Sequence, residues 1–465
     1  MRQRWSTSGI LQHRVLIKTT HYNLVNMKNF YSLFAIMLSL VLFSCSTDDE
    51  AALVNEAENT SPEQVFYTPS QPDETMFPAA DKSTEVYKLD LSDGLSRCIR
   101  KCGDDLGVTL NAGMATEEEL ETLLPEVEVI IETATTEKQK LDAIYNWVRT
   151  NVKYDTQGEV LDQSAYSTFI NQKAVCQGYS NLVNVFCHLA GLACFNANGF
   201  MGPYWMGHAW NYVKADDKWY VVDATNSRFY LMTQTTSYKN DYFPMMVDVT
   251  LFEDDNFKYT WYNGHLAVTE VKQGATALTI PFSVEGLRIS SFNPVKAVPD
   301  NVKIVYLGAN IIYLGDGNDI GINTYGKKIE AVHVASANTT FYSENGIVYR
   351  RNGAEVSLTL VPPAMRWVEL SSKLTQLEKN SIYYHNAIET LVIPASVTRI
   401  ESWAVENAPN LMWIYVPEEC TYLSYDSNYN TIESSEPTSN TFVGIHRNCQ
   451  IIKGAVPTGI KRITL

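Results

Sequence analysis

The chain has 465 residues with 36 basic and 52 acidic side chains, which gives a formal net charge of −16 at pH 7. A protein this acidic is not attracted to nucleic acid or to anionic lipid through its overall field. The charge therefore argues against nucleic-acid partners, and by itself it indicates only solubility.

The first 44 residues contain no Asp or Glu, and their second half includes an apolar run. That run is short for a bilayer-spanning helix and is typical of the apolar segment of a secretory signal. With Met27 as the better start, we interpret residues 1–26 as an upstream extension and residues 27–44 as a signal peptide. An ordinary N-terminal membrane anchor is the alternative.

The segment Leu42-Phe-Ser-Cys45 resembles the cleavage box of bacterial lipoproteins. The resemblance implies that Cys45 carries lipid and anchors the chain to a membrane. The acidic residues at 48–50 resemble the surface-export signal of some Gram-negative lipoproteins, so we expect an outer-membrane lipoprotein on the cell surface, with the periplasmic face as the alternative. Residues 45–84 are polar and contain several prolines, which predicts a flexible tether.

Helical periodicity covers residues 116–150, where Thr116 and Glu119 form a capping-box signature and a second helix begins near Glu137. A further helix is predicted to begin at Cys176, because apolar residues follow it at three- and four-residue steps. The free N–H groups at a helix start favour a negative charge, so this position favours a thiolate and could also stabilise an oxyanion.

Two alternating runs on either side of Ala215-Asp-Asp-Lys218 predict a β-hairpin with His208 on one strand and Asp223 on the other. Side chains alternate between faces along a strand, so a two- or four-residue loop places both residues on one face. A three-residue loop would separate them. A thiol, an imidazole and a carboxylate so arranged can serve as nucleophile, base and orienting group.

Other residues could in principle replace members of this set. Cys187 falls in the middle of the predicted helix, away from its N-terminus, and is better explained as core. Asn211 could orient the imidazole through its amide, but it lies three residues after His208 and points to the opposite face of the strand. Each of the three residues, taken alone, could have a purely structural role. Their occurrence together in this arrangement favours a catalytic role over a structural one.

Three separated blocks resemble the transglutaminase-like superfamily, which shares its core with papain-type cysteine peptidases. They are Lys173-Ala-Val-Cys-Gln-Gly-Tyr-Ser180, Gly207-His-Ala-Trp-Asn211 and Trp219-Tyr-Val-Val-Asp-Ala-Thr225. The resemblance covers a domain at residues 85–245. It implies an α+β fold with a transglutaminase-like, papain-like core, in which a cysteine-bearing helix packs against an antiparallel sheet.

By this resemblance Cys176 is the nucleophile, His208 the base and Asp223 the orienting group. The second donor of the oxyanion hole, beside the Cys176 amide, stays open. The candidates are Gln163, Tyr166 and Gln172.

The implied chemistry is acyl transfer through a thioester. Water as acceptor gives peptide or isopeptide hydrolysis of a protein or peptide substrate, and an amine gives cross-linking. We favour a cysteine hydrolase, because nothing in the sequence predicts the water exclusion that a transferase needs. A transglutaminase and a non-catalytic surface adhesion protein are the alternatives. No metal-ligand spacing and no calcium-binding loop occur, so we expect neither metal nor cofactor.

The rest of the chain is predicted to be rich in strands, with a connector at residues 246–300. Within residues 301–465, Val368, Leu391 and Ile414 open similar short runs at steps of 23 residues. This period is typical of leucine-rich repeats. The region resembles the repeats of BspA-like surface proteins, which implies a solenoid.

A solenoid offers a long face for a host or surface protein or for a polysaccharide. A β-sandwich with accidental spacing is the alternative. Four further cysteines could pair outside the cytoplasm or stay as buried thiols, and spacing does not decide between these. They are Cys98, Cys102, Cys420 and Cys449.

Overall fold

The structure is a computed structural model that describes residues 65–68, 72–79, 91–102, 106–108, 110, 114–202, 206–315, 321–425, 430–454 and 461–464. The predicted extension, signal peptide and lipid-bearing Cys45 lie outside these residues, as does most of the tether. Among the described residues, no helix is both long and apolar enough to cross a membrane.

Helices and an antiparallel sheet make up residues 114–247, here called the helix–sheet region. The helices up to this point are α1 Leu91–Cys102, α2 Glu117–Ile130, α3 Glu137–Asn151, α4 Ala165–Asn171 and α5 Cys176–Leu189, with 3-10 turns at Glu74–Met76 and Ser237–Asp241. The strands are β1 Val65–Thr68, β2 Lys153–Tyr154, β3 Lys173–Ala174, β4 Cys194–Met201, β5 Met206–Ala215, β6 Lys218–Asp223, β7 Arg228–Leu231 and β8 Tyr242–Val247.

The predicted capping box begins α2. The Thr116 hydroxyl accepts from the Glu119 N–H at 3.2 Å, and the Glu119 carboxylate accepts from the Thr116 N–H at 2.7 Å. A cap of this kind stabilises a helix by about 1 kcal/mol. The second predicted helix is α3, which begins at Glu137 as expected.

Helix α5 is buried along almost its whole length, from Gly178 to Cys187. A Cβ at Gly178 would lie 2.5 Å from both the Ala174 Cβ and the Thr168 Oγ1, so only glycine allows this approach. The chain leaves the helix through Gly191, whose φ of 77° suits a residue just after a helix. Glycine thus fixes both the packing and the end of the helix that begins at Cys176.

The predicted hairpin consists of β5 and β6, joined by the two-residue loop Asp216-Asp217. Both loop residues have positive φ, 47° and 57°, as the common two-residue hairpin turn requires. Asn211 faces Val222 across the pair. This register places His208 and Asp223 on the same face, which confirms the even-loop prediction.

The five strands of this sheet run antiparallel in the order β7-β6-β5-β4-β8. One face packs on α2, α3 and α5, and the other face lies in a second core that continues into the following strands. Strand β8 ends at Val247, so the sheet extends two residues beyond the predicted domain boundary at 245.

In residues 250–361, here called the middle region, the described part of the chain (250–315 and 321–361) includes the short helix α6 Gly321–Tyr325. Their strands are β9 Phe252–Glu253, β10 Phe257–Tyr262, β11 His265–Val271, β12 Ala277–Thr279, β13 Ser283–Val284, β14 Leu287–Arg288, β15 Ser291–Phe292, β16 Ile304–Leu307, β17 Ala331–Val334, β18 Phe341–Glu344, β19 Ile347–Asn352 and β20 Glu355–Leu360.

Parallel stacking begins inside the predicted connector. Strands β12, β16 and β17 pair in parallel, with Ala277 beside Ile304 and Ile304 beside Ala331. The connector is therefore not a loose link, because its side chains share one hydrophobic core with the outer face of the sheet. Cys98 and Cys102 of α1 are buried in that same core.

Residues 366–454, here called the repeat region, contain short parallel strands. These strands and the last strand of the chain are β21 Trp367–Glu369, β22 Gln376–Leu377, β23 Ile382–Tyr383, β24 Thr390–Val392, β25 Arg399–Ile400, β26 Val405–Glu406, β27 Trp413–Val416, β28 Thr421–Tyr425, β29 Thr431–Ser434, β30 Phe442–Val443, β31 Gln450–Lys453 and β32 Lys461–Thr464. Val368 pairs with Leu391 and Leu391 with Ile414, so the predicted 23-residue register is confirmed. Strand β32 pairs in parallel with β1.

Candidate active site

Cys176 is the first residue of α5 and is half-buried. The residue before it, Val175, has extended backbone and offers no side-chain cap. Backbone N–H groups of the first turn therefore keep their hydrogen-bonding capacity for a group that arrives at the helix end. The positive end of the helix dipole favours negative charge at the same place.

His208 and Asp223 form a buried pair, 8% and 1% exposed. The Nε2 atom of His208 lies 2.8 Å from the Oδ2 atom of Asp223. Tyr242 donates its hydroxyl to the same oxygen at 2.5 Å, and the Asn226 side-chain amide donates to it at 2.9 Å. The carboxylate is thus held by three side chains from three parts of the chain.

The pKa of Asp223 follows from this surrounding. Burial would raise the pKa, but the hydrogen bond and charge of His208, with further donors at Tyr242 and Asn226, hold it below its usual value. Asp223 is therefore a carboxylate that orients the imidazole. The sequence prediction included neither Tyr242 nor Asn226; the only signal for Asn226 is its position three residues after Asp223, where an Asx-type turn is common.

The helix end meets the end of β5 next to the imidazole. Ser180, one turn into α5, donates its hydroxyl to the Trp210 carbonyl at 3.5 Å, and its own carbonyl accepts from the Asn211 amide at 2.9 Å. These contacts bring Cys176 and His208 together, close enough for the sulfur to raise the pKa of the imidazole. Because Nε2 faces Asp223, the Nδ1 side of the ring is left for the sulfur.

The charge state of His208 is set by opposing effects. Burial lowers its pKa, but the Asp223 carboxylate and the Cys176 sulfur outweigh burial and raise the pKa to about 9. An imidazolium is therefore favoured near neutral pH, and it sits between a carboxylate and the sulfur. This is the charge arrangement that a thiolate–imidazolium pair requires.

Tyr154 also reaches the cysteine. Strands β2 and β3 place Tyr154 beside Ala174, and the N–H of Asp155 donates to the Ala174 carbonyl at 2.9 Å. Partial burial, followed by the charge of the Cys176 sulfur, raises the pKa of Tyr154. Tyr154 is 48% exposed and lies beside the cysteine, where it could reach an oxyanion at the helix end.

The three residues predicted as oxyanion donors have other contacts. The Gln163 side chain accepts from the Val175 N–H at 2.9 Å and donates to the Val160 carbonyl at 2.6 Å, so it fixes the chain just before the cysteine. Tyr166 packs against the helical core, and the Gln172 side chain is exposed at the end of α4. Among the described residues, none of the three donates to Cys176.

Buried amides join α5 to the sheet on the other face of β5. The Asn196 Oδ1 atom accepts from Asn184 at 3.0 Å and from Asn211 at 2.8 Å, and its Nδ2 atom donates to Asn181 at 2.8 Å. Asn211 therefore faces the helix, away from the imidazole, and does not orient it. The network holds the cysteine-bearing helix in place against β4 and β5.

The remaining thiols differ from Cys176 in their surroundings. Cys187 and Cys194 are buried, and Cys420 and Cys449 in the repeat region are free thiols. Burial raises the pKa of Cys420 to about 11 and that of Cys449 to about 12. In the part of the chain that the structure describes, no group of three or more His, Cys, Asp or Glu side chains could hold a metal ion.

Comparison with known proteins finds one family model that matches this part of the chain. Residues 127–224, which include all three residues of the candidate triad, match the model of the transglutaminase-like superfamily, so this segment is transglutaminase-like. The chain is 28% identical over 144 residues to the human kyphoscoliosis peptidase, and 26% identical to the mouse protein over the same length. Each match covers 28% of this chain and 22% of the relative.

Solved structures resemble parts of the chain, at low similarity. A TGase is 19% identical, with 31% of this chain and 40% of that chain covered at a TM-score of 0.21. A leucine-rich repeat protein from Eubacterium ventriosum is 18% identical, with 34% and 38% covered at a TM-score of 0.22.

Proposed function

We propose that the chain is a cysteine-dependent acyl hydrolase that cleaves peptide or isopeptide bonds. Cys176 is the nucleophile, His208 the general acid and base, and Asp223 the orienting group. The observation that supports this most strongly is the buried 2.8 Å contact between His208 and Asp223, at the end of a helix that begins with a half-buried cysteine.

Each half of the reaction moves one proton through His208. The Cys176 thiolate adds to the substrate carbonyl and forms a C–S bond, and the imidazolium gives its proton to the leaving nitrogen as the C–N bond breaks. Neutral His208 then takes a proton from water, whose oxygen adds to the thioester. The C–S bond breaks, and the thiolate and the imidazolium are restored.

The oxyanion of each tetrahedral intermediate is assigned to the Cys176 N–H and the Tyr154 hydroxyl. Tyr154 lies close enough to Cys176 for the charge of the sulfur to raise the pKa of the phenol. Rotation of the Tyr154 side chain would turn its hydroxyl toward the same oxygen. Such preorganised donors stabilise the charge that develops in the transition state.

Hydrolysis is favoured over amine transfer because Tyr154 and Cys176 are both partly exposed, so water can reach the thioester. A transferase has to exclude water from that intermediate. Cross-linking by amine transfer is therefore the second candidate, and a non-catalytic binding protein is the third.

The setting of the enzyme is also part of this proposal. The parallel register at 23-residue steps supports a leucine-rich-repeat solenoid for the repeat region. The lipoprotein-like segment before Cys45 supports lipid anchoring in the outer membrane, on the cell surface, where the repeats would bind a protein or a polysaccharide and the active site would act on a protein or peptide.

A thiol-directed electrophile tests the chemistry within one molecule. Residues 46–465 are treated with iodoacetamide at neutral pH, and the labelled cysteines are quantified by mass spectrometry. We expect Cys176 to react stoichiometrically and at least about tenfold faster than a free thiol such as glutathione under the same conditions, whereas Cys420 and Cys449, whose pKa values are raised, should react more slowly than that thiol. His208→Ala should remove this advantage.

Two outcomes would redirect the proposal. Labelling of Cys176 no faster than a free thiol would favour the non-catalytic binding protein. Incorporation of a fluorescent amine into a glutamine-containing protein, lost in Cys176→Ala, would favour the cross-linking enzyme over the hydrolase.

A further inference from the structure

Arg228 is a cation that lies beside the candidate triad. It is the first residue of β7, and the register of β6 and β7 pairs it directly with Asp223. Residues directly opposite each other in an antiparallel pair point to the same face, with Cβ atoms about 5 Å apart. Arg228 therefore projects to the face of the sheet that carries His208 and Asp223, although acyl transfer through Cys176 and His208 does not require it.

The sheet curls so that its two edge strands meet over this face. Strands β7 and β8 lie at opposite ends of the strand order, yet the guanidinium carbon of Arg228 is 5.5 Å from the centre of the Tyr242 ring. It is also 4.2 Å from the centre of the Tyr238 ring. A planar guanidinium is attracted to the face of an aromatic ring. The two tyrosines therefore hold the cation in place beside the triad.

The guanidinium has unused hydrogen-bonding capacity, because arginine carries five N–H donors. In the part of the chain that the structure describes, the one acceptor of its side-chain donors is the Met201 sulfur, 4.0 Å from Nη1. The Asp241 carboxylate is 3.5 Å from Nη1, beyond the roughly 3.2 Å limit of ordinary N–H···O hydrogen bonds. Only 20% of the Arg228 side chain is exposed, so most of its surface is also removed from water.

Lys138 shows how a comparable cation is satisfied on the neighbouring residue of β7. Its ammonium lies 4.4 Å from the centre of the Phe229 ring and donates to the Asp142 carboxylate at 2.5 Å. Both cations contact an aromatic ring, but of the two only Lys138 also donates to a carboxylate. Because a guanidinium matches a carboxylate with two parallel N–H···O bonds, Arg228 is suited to a carboxylate that a ligand brings.

Contacts in series connect the guanidinium to the imidazole. The Met201 sulfur that lies 4.0 Å from Arg228 Nη1 is 3.5 Å from the Asn226 amide nitrogen. That nitrogen is 3.1 Å from His208 Nε2. An extended peptide advances about 3.3–3.6 Å per residue, so a carboxylate bound at Arg228 would lie within about three residues of the scissile bond.

The role of His208 decides on which side of that bond the carboxylate lies. The acyl half of the substrate is bonded to the Cys176 sulfur, whereas the leaving nitrogen takes its proton from the imidazolium, so the leaving half lies against His208. Asn226, which connects Arg228 to the ring, contacts Nε2, the nitrogen that faces away from the sulfur. Arg228 is therefore reached from the leaving half of the substrate.

We propose that Arg228 selects peptide substrates that carry an acidic side chain on the leaving-group side of the scissile bond, within about three residues of it. The guanidinium donates two N–H bonds to that carboxylate while Tyr238 and Tyr242 hold its position. This inference rests on the proposed function, because it names the substrate class of the same site.

Two pools of internally quenched peptides test this with the full chain. All peptides are amidated at the C-terminus and randomised in the first half, and the second half is a run of either Glu or Gln. Mass spectrometry locates the cleaved bond. We expect kcat/KM for the Glu pool to exceed that for the Gln pool by at least about tenfold, and this ratio to fall as salt rises.

Matched variants locate the selection. Arg228→Gln should bring the ratio close to one, and Arg228→Lys, which keeps the charge but not the planar fork, should give an intermediate ratio. Lys138→Gln removes the other ring-stacked cation and should keep the wild-type ratio. If Arg228 were only structural, its loss would lower kcat/KM for both pools together and leave the ratio unchanged.

Three outcomes would overturn the inference. They are no preference for the Glu pool in the wild type, an unchanged ratio in Arg228→Gln, and an equal loss of the ratio in Lys138→Gln. If the wild type cleaves neither pool, the proposed function is in question, and binding to Cys176→Ala decides the inference separately. Fluorescence polarisation should then show that labelled Glu peptides bind at least about tenfold more tightly than Gln peptides, and equal or absent binding would overturn it.

Discussion

The buried side chains around Cys176 differ in chemistry from those of the repeat region. In the helix–sheet region the interior includes His208, Asp223 and a set of asparagines, each hydrogen-bonded to other side chains or to backbone. In the repeat region the equivalent positions of successive strands hold Val368, Leu391 and Ile414, all fully buried. The helix–sheet region thus adds buried side-chain hydrogen bonds to its apolar core, whereas these repeat positions are buried by apolar packing alone.

Because of this difference, we expect substitutions in one region to affect catalysis and substitutions in the other to affect stability. A hydrogen-bonded interior is sensitive to the loss of a single donor, because the remaining partner is left buried and unsatisfied. An aliphatic interior tolerates changes that conserve volume and responds mainly to cavities. Substitutions near Cys176 should therefore change activity first, and substitutions in the repeat region should change unfolding first.

The largest expected effect is the loss of the nucleophile. Cys176→Ala should reduce hydrolysis of fluorescently labelled casein by about 10³-fold or more, since removing a nucleophile leaves only binding and oxyanion stabilisation. The half-buried position should keep the melting temperature unchanged. Cys420→Ala is the matched control and should retain full activity. Equal activity in the two variants would show that Cys176 is not the nucleophile, and the contrast between the two regions would then not concern catalysis.

Asp223→Asn should lower the same activity by about 10²–10⁴-fold, because an amide can hold the ring but cannot stabilise its positive charge. Asp216→Asn, in the exposed loop of the same hairpin, is the control and should be silent. If both variants keep wild-type rates, Asp223 is a structural residue and the polar interior serves folding alone.

The protonation of His208 couples activity to stability. Its folded-state pKa of about 9 lies above the ordinary value of 6.5, so the protonated ring stabilises the fold fully below pH 6.5, and this contribution is lost as the pH rises through about 9. The wild type should therefore lose its stability advantage over Asp223→Asn between pH 7 and pH 10. Melting temperatures across that range measure this, and a constant difference would contradict the raised pKa.

In the repeat region, Ile414→Ala should destabilise the fold by about 2–5 kcal/mol through the cavity it leaves. Ile451, its neighbour in the paired strand, is 41% exposed and provides a control of the same residue type. Ile451→Ala should change stability far less. Urea unfolding measures both, and casein hydrolysis per folded molecule should be unchanged. Loss of activity in folded Ile414→Ala would show that the two interiors are coupled.

The same contrast explains what the sequence could predict. The helix after Cys176, the β5–β6 hairpin and the 23-residue register are local or periodic, so residue spacing reveals them. Tyr154 and Tyr242 are brought to the site by strand pairings that local sequence patterns do not reveal. Tyr154 lies on β2, which pairs with β3, and each of these strands has only two residues. Tyr242 lies on β8, which follows the β5–β6 hairpin in the chain and pairs with β4. Long-range register of this kind is not visible in spacing.

The predicted repeats begin at residue 301, so they include β16 and β17, but β12, which pairs with β16, lies in the predicted connector. The step between these strands is 27 residues rather than 23, and each strand has only three or four residues. Gln163 shows the opposite case, in which the sequence suggested a role but the fold gives the side chain other partners. Its chemistry made it a candidate oxyanion donor, but its amide is taken by Val175 and Val160, which only the folded chain can show.

The smallest expected effect comes from Tyr242→Phe, which removes one of the donors to Asp223 while keeping the ring that packs on Trp210. Because His208 and Asn226 still hold the carboxylate, we expect casein hydrolysis to fall by about tenfold or less. Tyr238→Phe, an exposed tyrosine on the preceding 3-10 turn, is the control. A loss as large as that of Asp223→Asn would mean that the three donors act as one unit, so that the polar interior cannot be divided into separate contributions. No loss at all would mean that two donors suffice and that the third contributes only to packing.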